Sequence, residues 1–174
     1  MLLVGNSFSQ TVVNEAQLKS AYIISILNYV RWPNKESSKV RNICIYSENP
    51  FDNFLENFAE FSKSKNKHPA VILYPSNINE ITECDVIFIS RSSENELPEF
   101  LNVAKDNSIL TISDIEGFCA EGGMVEFVSK KNRIKLNINY HSTKDAELEM
   151  SSLLLELAEI VIDKELLKNG DSHD

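Results

Sequence analysis

Val86-Ile87-Phe88-Ile89 is an unbroken apolar run, led in by Cys84-Asp85 and closed by Ser90-Arg91. A strand with one wet face alternates apolar and polar residues, whereas a run without alternation has both faces covered. Three more runs repeat the pattern: Ile43-Cys44-Ile45-Tyr46, Val71-Ile72-Leu73-Tyr74 and Ile109-Leu110-Thr111-Ile112. Helical stretches separate them. Asn49-Pro50-Phe51-Asp52 opens one, with Asn as the cap, Pro in the first helical position and Asp against the N-terminal dipole. Phe54, Leu55, Phe58 and Phe61 form its inward stripe, and Pro98 starts a second helix with Phe100, Leu101 and Ala104 inward. Asn77 to Glu83 has room for a helical turn or two. Buried strands joined by helical crossovers make a mostly parallel α/β sheet with helices on both faces.

Beyond these four runs the period changes. Met124 to Val128 and Ile134 to Tyr140 flank Lys130-Lys131-Asn132-Arg133 and read as an antiparallel hairpin. On its second strand Ile134, Leu136, Ile138 and Tyr140 share one face, and Lys135, Asn137 and Asn139 share a wet one. A final helix over about 151–163 carries Leu153, Leu154, Leu157, Ile160 and Val161. At the other end, Asn14 to Gln17 fits a capping box. The helix it starts is apolar nearly all round and runs to Arg31-Trp32-Pro33, where proline's effect on the preceding residue stops it. The fold class is therefore single-domain α/β, a mostly parallel sheet ending in an antiparallel hairpin plus a final helix. The domain spans 14–165, between an N-terminal segment 1–13 and a polar tail 166–174.

Composition narrows the chemistry. The 174 residues carry a net charge of −9, with 43% hydrophobic and 25% charged residues, which is a globular chain without the basic patch that nucleic acid or anionic lipid needs. No run approaches 18 uninterrupted apolar residues, so no membrane span is expected. Gly122-Gly123 lacks the spacing of a dinucleotide or phosphate loop, so no cofactor is expected. His68, His141 and His173 lie far apart, without the paired spacing of metal ligands. Ser113-Asp114 follows a strand where α/β folds place active groups, but no nucleophile motif surrounds it, and a capping or turn role is the competing reading. No catalytic constellation emerges.

Three cysteines remain: Cys44 in the first strand, Cys84 just before the third, and Cys119 in Gly117-Phe118-Cys119-Ala120-Glu121-Gly122-Gly123. In the flavodoxin-like order 2-1-3-4 the first and third strands are neighbours, close enough for a disulfide if the levels match. Two buried free thiols fit the same pattern. Gly122 and Gly123 mark a tight, structured loop around Cys119.

Arg31-Trp32-Pro33, Asn49-Pro50-Phe51 and Cys84-Asp85-Val86-Ile87-Phe88-Ile89 stand in order with Ile109-Leu110-Thr111-Ile112-Ser113-Asp114 and Gly117-Phe118. Gly122-Gly123-Met124-Val125-Glu126-Phe127, Asn139, Ser151-Ser152-Leu153-Leu154 and Leu157-Ala158 follow. Over about 15–163 this series resembles the YfiR-like family of periplasmic proteins. The resemblance implies a non-enzymatic regulator that binds the periplasmic domain of an inner-membrane diguanylate cyclase and holds it inactive, lowering cyclic-di-GMP. It also implies a Cys44–Cys84 disulfide. Some members carry a second cysteine seven residues after the position of Cys119; here Glu126 stands there, which leaves Cys119 a free thiol or one paired between molecules, and the loop without its covalent staple. The resemblance favours reading Leu2-Leu3-Val4 with Ser7-Phe8-Ser9 as the remnant of a secretory signal over a frayed end.

Candidate partner contacts are Val125 and Phe127 beside the glycine loop and Tyr22, Ile26 and Tyr29 on the first helix. Each has sheet or helix core as its competing reading. A second copy of the chain is a further candidate partner. The alternative function is a periplasmic small-molecule sensor in which Arg31 and Trp32 clamp an aromatic or anionic ligand, with Trp32 as a core plug the competing reading.

Overall fold

The computed structural model describes residues 14–33, 40–65, 69–130 and 133–163. The signal-like stretch, the hairpin tip Lys131-Asn132, His68, His173 and the polar tail lie outside the described residues. Helix α1 (Glu15–Ile26) starts as its sequence indicates, with Asn14 Oδ1 accepting from the backbone N–H of Ala16 at 3.0 Å. It ends earlier than the proline implies. Val30–Arg31 leaves the helix as a two-residue strand, β1, held antiparallel by Glu149–Met150. Strand pairing with a distant segment has overridden local helical preference.

Strand β2 (Arg41–Tyr46) leads into a turn, not a helix start. Asn49 accepts from Phe51 N at 2.9 Å and donates to Asp52 O at 2.9 Å, while Asp52 turns left-handed at φ 51°. Helix α2 (Phe54–Ser64) begins beyond it. Of its expected stripe, Leu55 is buried, but Phe61 is 62% exposed. Strand β3 (Ala70–Leu73), a 3₁₀ turn at Ile78–Glu83 and strand β4 (Val86–Ile89) follow. A second 3₁₀ turn at Arg91–Glu96 runs into helix α3 (Leu97–Asp106), and β5 (Leu110–Ser113) follows, parallel to β4. Strands β6 (Val125–Lys130) and β7 (Arg133–Asn139) form the hairpin, in the register Val125 opposite Ile138.

After β7 come α4 (Tyr140–Asp145), β8 (Glu149–Met150), α5 (Ser152–Leu157) and β9 (Ile160–Ile162). The expected final helix is thus cut in two. Ala158 is extended (φ −72°, ψ 144°), and the N–H of Glu159 donates to Leu136 O at 2.7 Å, opening a parallel pairing of β9 with β7. The outer edge of β7 needed backbone partners, and β9 supplies them.

The seven-stranded sheet has the order β3-β2-β4-β5-β6-β7-β9. Within this sheet, among the described residues, only the pairing of β6 with β7 is antiparallel; the separate β1–β8 pair is antiparallel too. Val86 and Phe88 join the core under α1 and α2, whereas Ile87 and Ile89 join a second core with Phe100 of α3 and Phe118. That division of successive residues is why the run is unbroken. Cys44 and Cys84 sit in the second core and are joined as a disulfide, with Cα atoms 5.9 Å apart.

Candidate functional site

The structure places the sequence-derived contact residues mostly in the core. Val125 is 0% exposed and Phe127 2%, because β6 lies between β5 and β7 and α1 covers its face. Ile26 is buried as well, and Tyr22 and Tyr29 are half-buried, with the Tyr22 ring 6.2 Å from that of Phe127. Val125, Phe127 and Ile26 hold the sheet and α1 together; they are not presented to a partner.

The Arg31–Trp32 clamp is not formed either. Arg31 turns outward, and its Nε donates to Glu149 at 2.8 Å across the β1–β8 pair. Trp32 is a buried plug, and the guanidinium over its ring is that of Arg41, 4.6 Å from the centroid. Arg41 in turn faces buried Asp85 at 3.7 Å, and Asp85 accepts from Asn42 N at 2.8 Å. Arg41 opens β2 and Asp85 precedes β4, so the ion pair ties two neighbouring strands. Spacing along the chain favoured Arg31 because it adjoins Trp32; the sheet brings Arg41 there instead.

Around the glycine loop, the structure supplies a clamp that the sequence reading missed. Glu126, 6% exposed, accepts from the backbone N–H groups of Gly117 at 3.2 Å and Cys119 at 3.1 Å. Hydrogen bonds to a charged acceptor are worth about 1.5–3 kcal/mol each. Asn139 Nδ2 adds a third bond, to Cys119 O at 2.8 Å. The hairpin face expected to be wet is therefore covered by this loop at Asn139 and partly at Asn137, while Lys135 stays exposed as expected. A lone acid inside Met124-Val125-Glu126-Phe127-Val128 was the available signal. Gly117 and Gly122 adopt φ of 79° and 103°. Gly123 is needed for space, since a Cβ there would lie 2.2 Å from the Phe118 ring.

Cys119 is a buried free thiol whose pKa is pushed up from 9.0 to about 12, first by burial and then by the Glu126 charge. Because the folded value is the higher one, this thiol contributes stability that is present below about pH 9 and lost as pH rises toward 12. It is expected to resist iodoacetamide at pH 8 in the native chain and to react once the chain is unfolded in denaturant without reductant. Rapid native alkylation, read by mass spectrometry, would contradict its burial.

At the C-terminal ends of the central strands, polar groups are consumed internally. Ser113 Oγ donates to Ile89 O at 2.7 Å and accepts from Ile115 N at 3.0 Å, a turn-fixing role. Asp114 meets buried Lys19 at 2.6 Å, and its carbonyl accepts from Arg91 at 2.9 Å. Lys19 also meets Glu15 at 2.6 Å. His141 lies 3.5 Å from Asp145, and no group of three metal-ligating side chains is found among the described residues.

The exposed large apolar side chains fall at the two margins of the sheet. Val40, Phe61, Val71 and Tyr74 lie about β3 and α2, and Leu153, Leu157, Ile160 and Val161 about α5 and β9. On the second side a groove of about 390 Å³ opens, lined by Leu18, Tyr22, Arg133, Ile134, Lys135, Leu136 and Leu157. Apolar spacing in the sequence marks such residues as inward; only the early end of α5 shows that Leu157, 66% exposed, is not.

The profile of the YfiR/HmsC-like family matches residues 16–159. No curated protein matches the chain. Among solved structures, a conserved domain protein from Vibrio cholerae O1 biovar El Tor str. N16961 gives a TM-score of 0.56 at 12% identity, over 85% of this chain and 60% of that one. An ABC domain from Streptococcus pneumonia in complex with L-Trp gives 0.54 at 14% identity, over 84% of this chain and 60% of that one. The chain thus spans about 60% of the length of these two structures, and the likeness is one of fold.

Proposed function

We propose, on the premise that this chain belongs to the YfiR/HmsC-like family of periplasmic regulators of diguanylate cyclase signalling, that it acts by binding the periplasmic domain of an inner-membrane diguanylate cyclase and holding the enzyme inactive. The observation that carries this reading beyond the family is the exposed apolar set Leu153, Leu157, Ile160 and Val161 at the α5–β9 margin of the sheet, the margin where the groove opens. Exposed apolar side chains clustered near a groove on a globular chain are a candidate interaction site. No helix among the described residues is long and apolar enough to cross a membrane.

The test has two parts. Deleting the gene in its own host raises cellular cyclic-di-GMP, and restoring it lowers the level again. The purified chain binds the purified periplasmic domain of the host's cyclase in a calorimetric titration. An unchanged cyclic-di-GMP level together with no binding would overturn the reading.

A further inference from the structure

We infer that the groove between α1, β7 and α5 receives an acidic, apolar-faced helix from the cyclase's periplasmic domain. The inference rests on the reading above and names the surface and the chemistry of its partner. The floor is apolar and preformed. Ile134 and Leu136, two residues apart on β7, are buried at 7% and 3%, and Leu18 and Tyr22, four apart on α1, form one wall. Leu157 stands up from α5 as the other wall, 66% exposed and without the apolar cover that a leucine of a folded chain normally has. About 390 Å³ of space between helix walls suits large apolar side chains projecting from one face of a helix.

Charge selects the partner. The whole chain carries −9, yet the charged residues lining this groove are Arg133 and Lys135, both exposed. Glu159, nearby on the α5–β9 connection, is already engaged: Lys130 Nζ lies 2.9 Å away, and Lys130 and Lys135 help hold its carboxyl below the usual carboxylate range. An apolar cleft with a cationic rim on an acidic protein complements an amphipathic helix bearing Asp or Glu beside its leucines, and it repels a basic one. A second copy of this acidic chain is the weaker fit on the same ground.

The experiment uses the full chain and the purified periplasmic domain of the host's diguanylate cyclase. Leu157→Glu and the double variant Arg133→Glu/Lys135→Glu alter exposed positions, so both are expected to keep the wild-type unfolding midpoint. Each is expected to weaken binding about tenfold or more, and wild-type affinity is expected to fall as salt rises. Wild-type binding that both folded variants retain would remove the groove from the interface while leaving the proposed function standing. No binding by the wild-type chain would overturn the inference and, together with an unchanged cyclic-di-GMP level, the proposed function as well. Conversion of a dimer to a monomer by Leu157→Glu in sedimentation, with cyclase binding unchanged, would give the groove to a second copy and overturn the inference.

Discussion

Val125→Asp is expected to unfold the chain, not to weaken a contact. Val125 pairs with Ile112 on one side and Ile138 on the other, and its side chain has no exposed surface. A carboxylate placed there has neither water nor a partner, and burial of that kind costs on the order of 4 kcal/mol or more. Against a typical total of about 5–15 kcal/mol, the folded population is largely lost in a chain at the low end of that range. At about 2–4 °C per kcal/mol for a chain of this size, thermal melting should shift down by roughly 10 °C or more. A melting temperature within about 2 °C of wild type would show that Val125 is not core.

Removing the disulfide has the next largest expected effect. Cys44 and Cys84 are 40 residues apart in sequence, and the bridge between them keeps the two ends of β2–α2–β3 together when the chain unfolds. Restricting the unfolded chain over a loop of that length is worth about 2–4 kcal/mol. The double variant Cys44→Ala/Cys84→Ala should lose that amount in guanidinium unfolding, and reductant should then have no further effect on its midpoint. A loss below about 0.5 kcal/mol would mean that the bridge does not constrain the unfolded chain. Thiol counting gives an independent check. Unfolded without reductant, the wild-type chain should yield one alkylated cysteine, Cys119; three would exclude the bridge.

The sheet was legible because its central strands are covered twice. Val86 to Ile89 has no polar interruption, and the structure sends alternate members to two separate cores, which is the physical content of an unbroken run. The hairpin was legible for the opposite reason, since Ile134, Leu136 and Ile138 alternate with polar neighbours. What failed were features decided by distant parts of the chain. Residues 151–163 have helical spacing, but the backbone of Leu136 takes up Glu159 and turns the last third into β9. Arg41 displaced Arg31 at Trp32 because sheet order, not adjacency, decides which cation reaches the ring. Glu126 looked like the loss of a staple, yet it clamps the same loop through backbone N–H groups, a role that no residue pattern spells out. The partner surface was the least legible part. Apolar periodicity shows that a face exists, whereas the length of α5 decides whether anything covers it.

Among the described residues, both outer strands of the sheet have a partner on one side alone, and at β9 the other edge is that of Ile160-Val161-Ile162. An open apolar edge is a template for strands of other molecules, and proteins usually blunt it with a charge or a proline inside the strand. Here the acids only flank it: Glu159 is tied to Lys130, and Asp163 lies 3.5 Å from Lys144. Gatekeeping is therefore left to the global charge of −9, a colloidal repulsion that salt screens and that vanishes near the isoelectric point of about 4.9. Aggregation of the folded chain is then expected to rise with salt and near that pH, and a partner that covered β9 would suppress it.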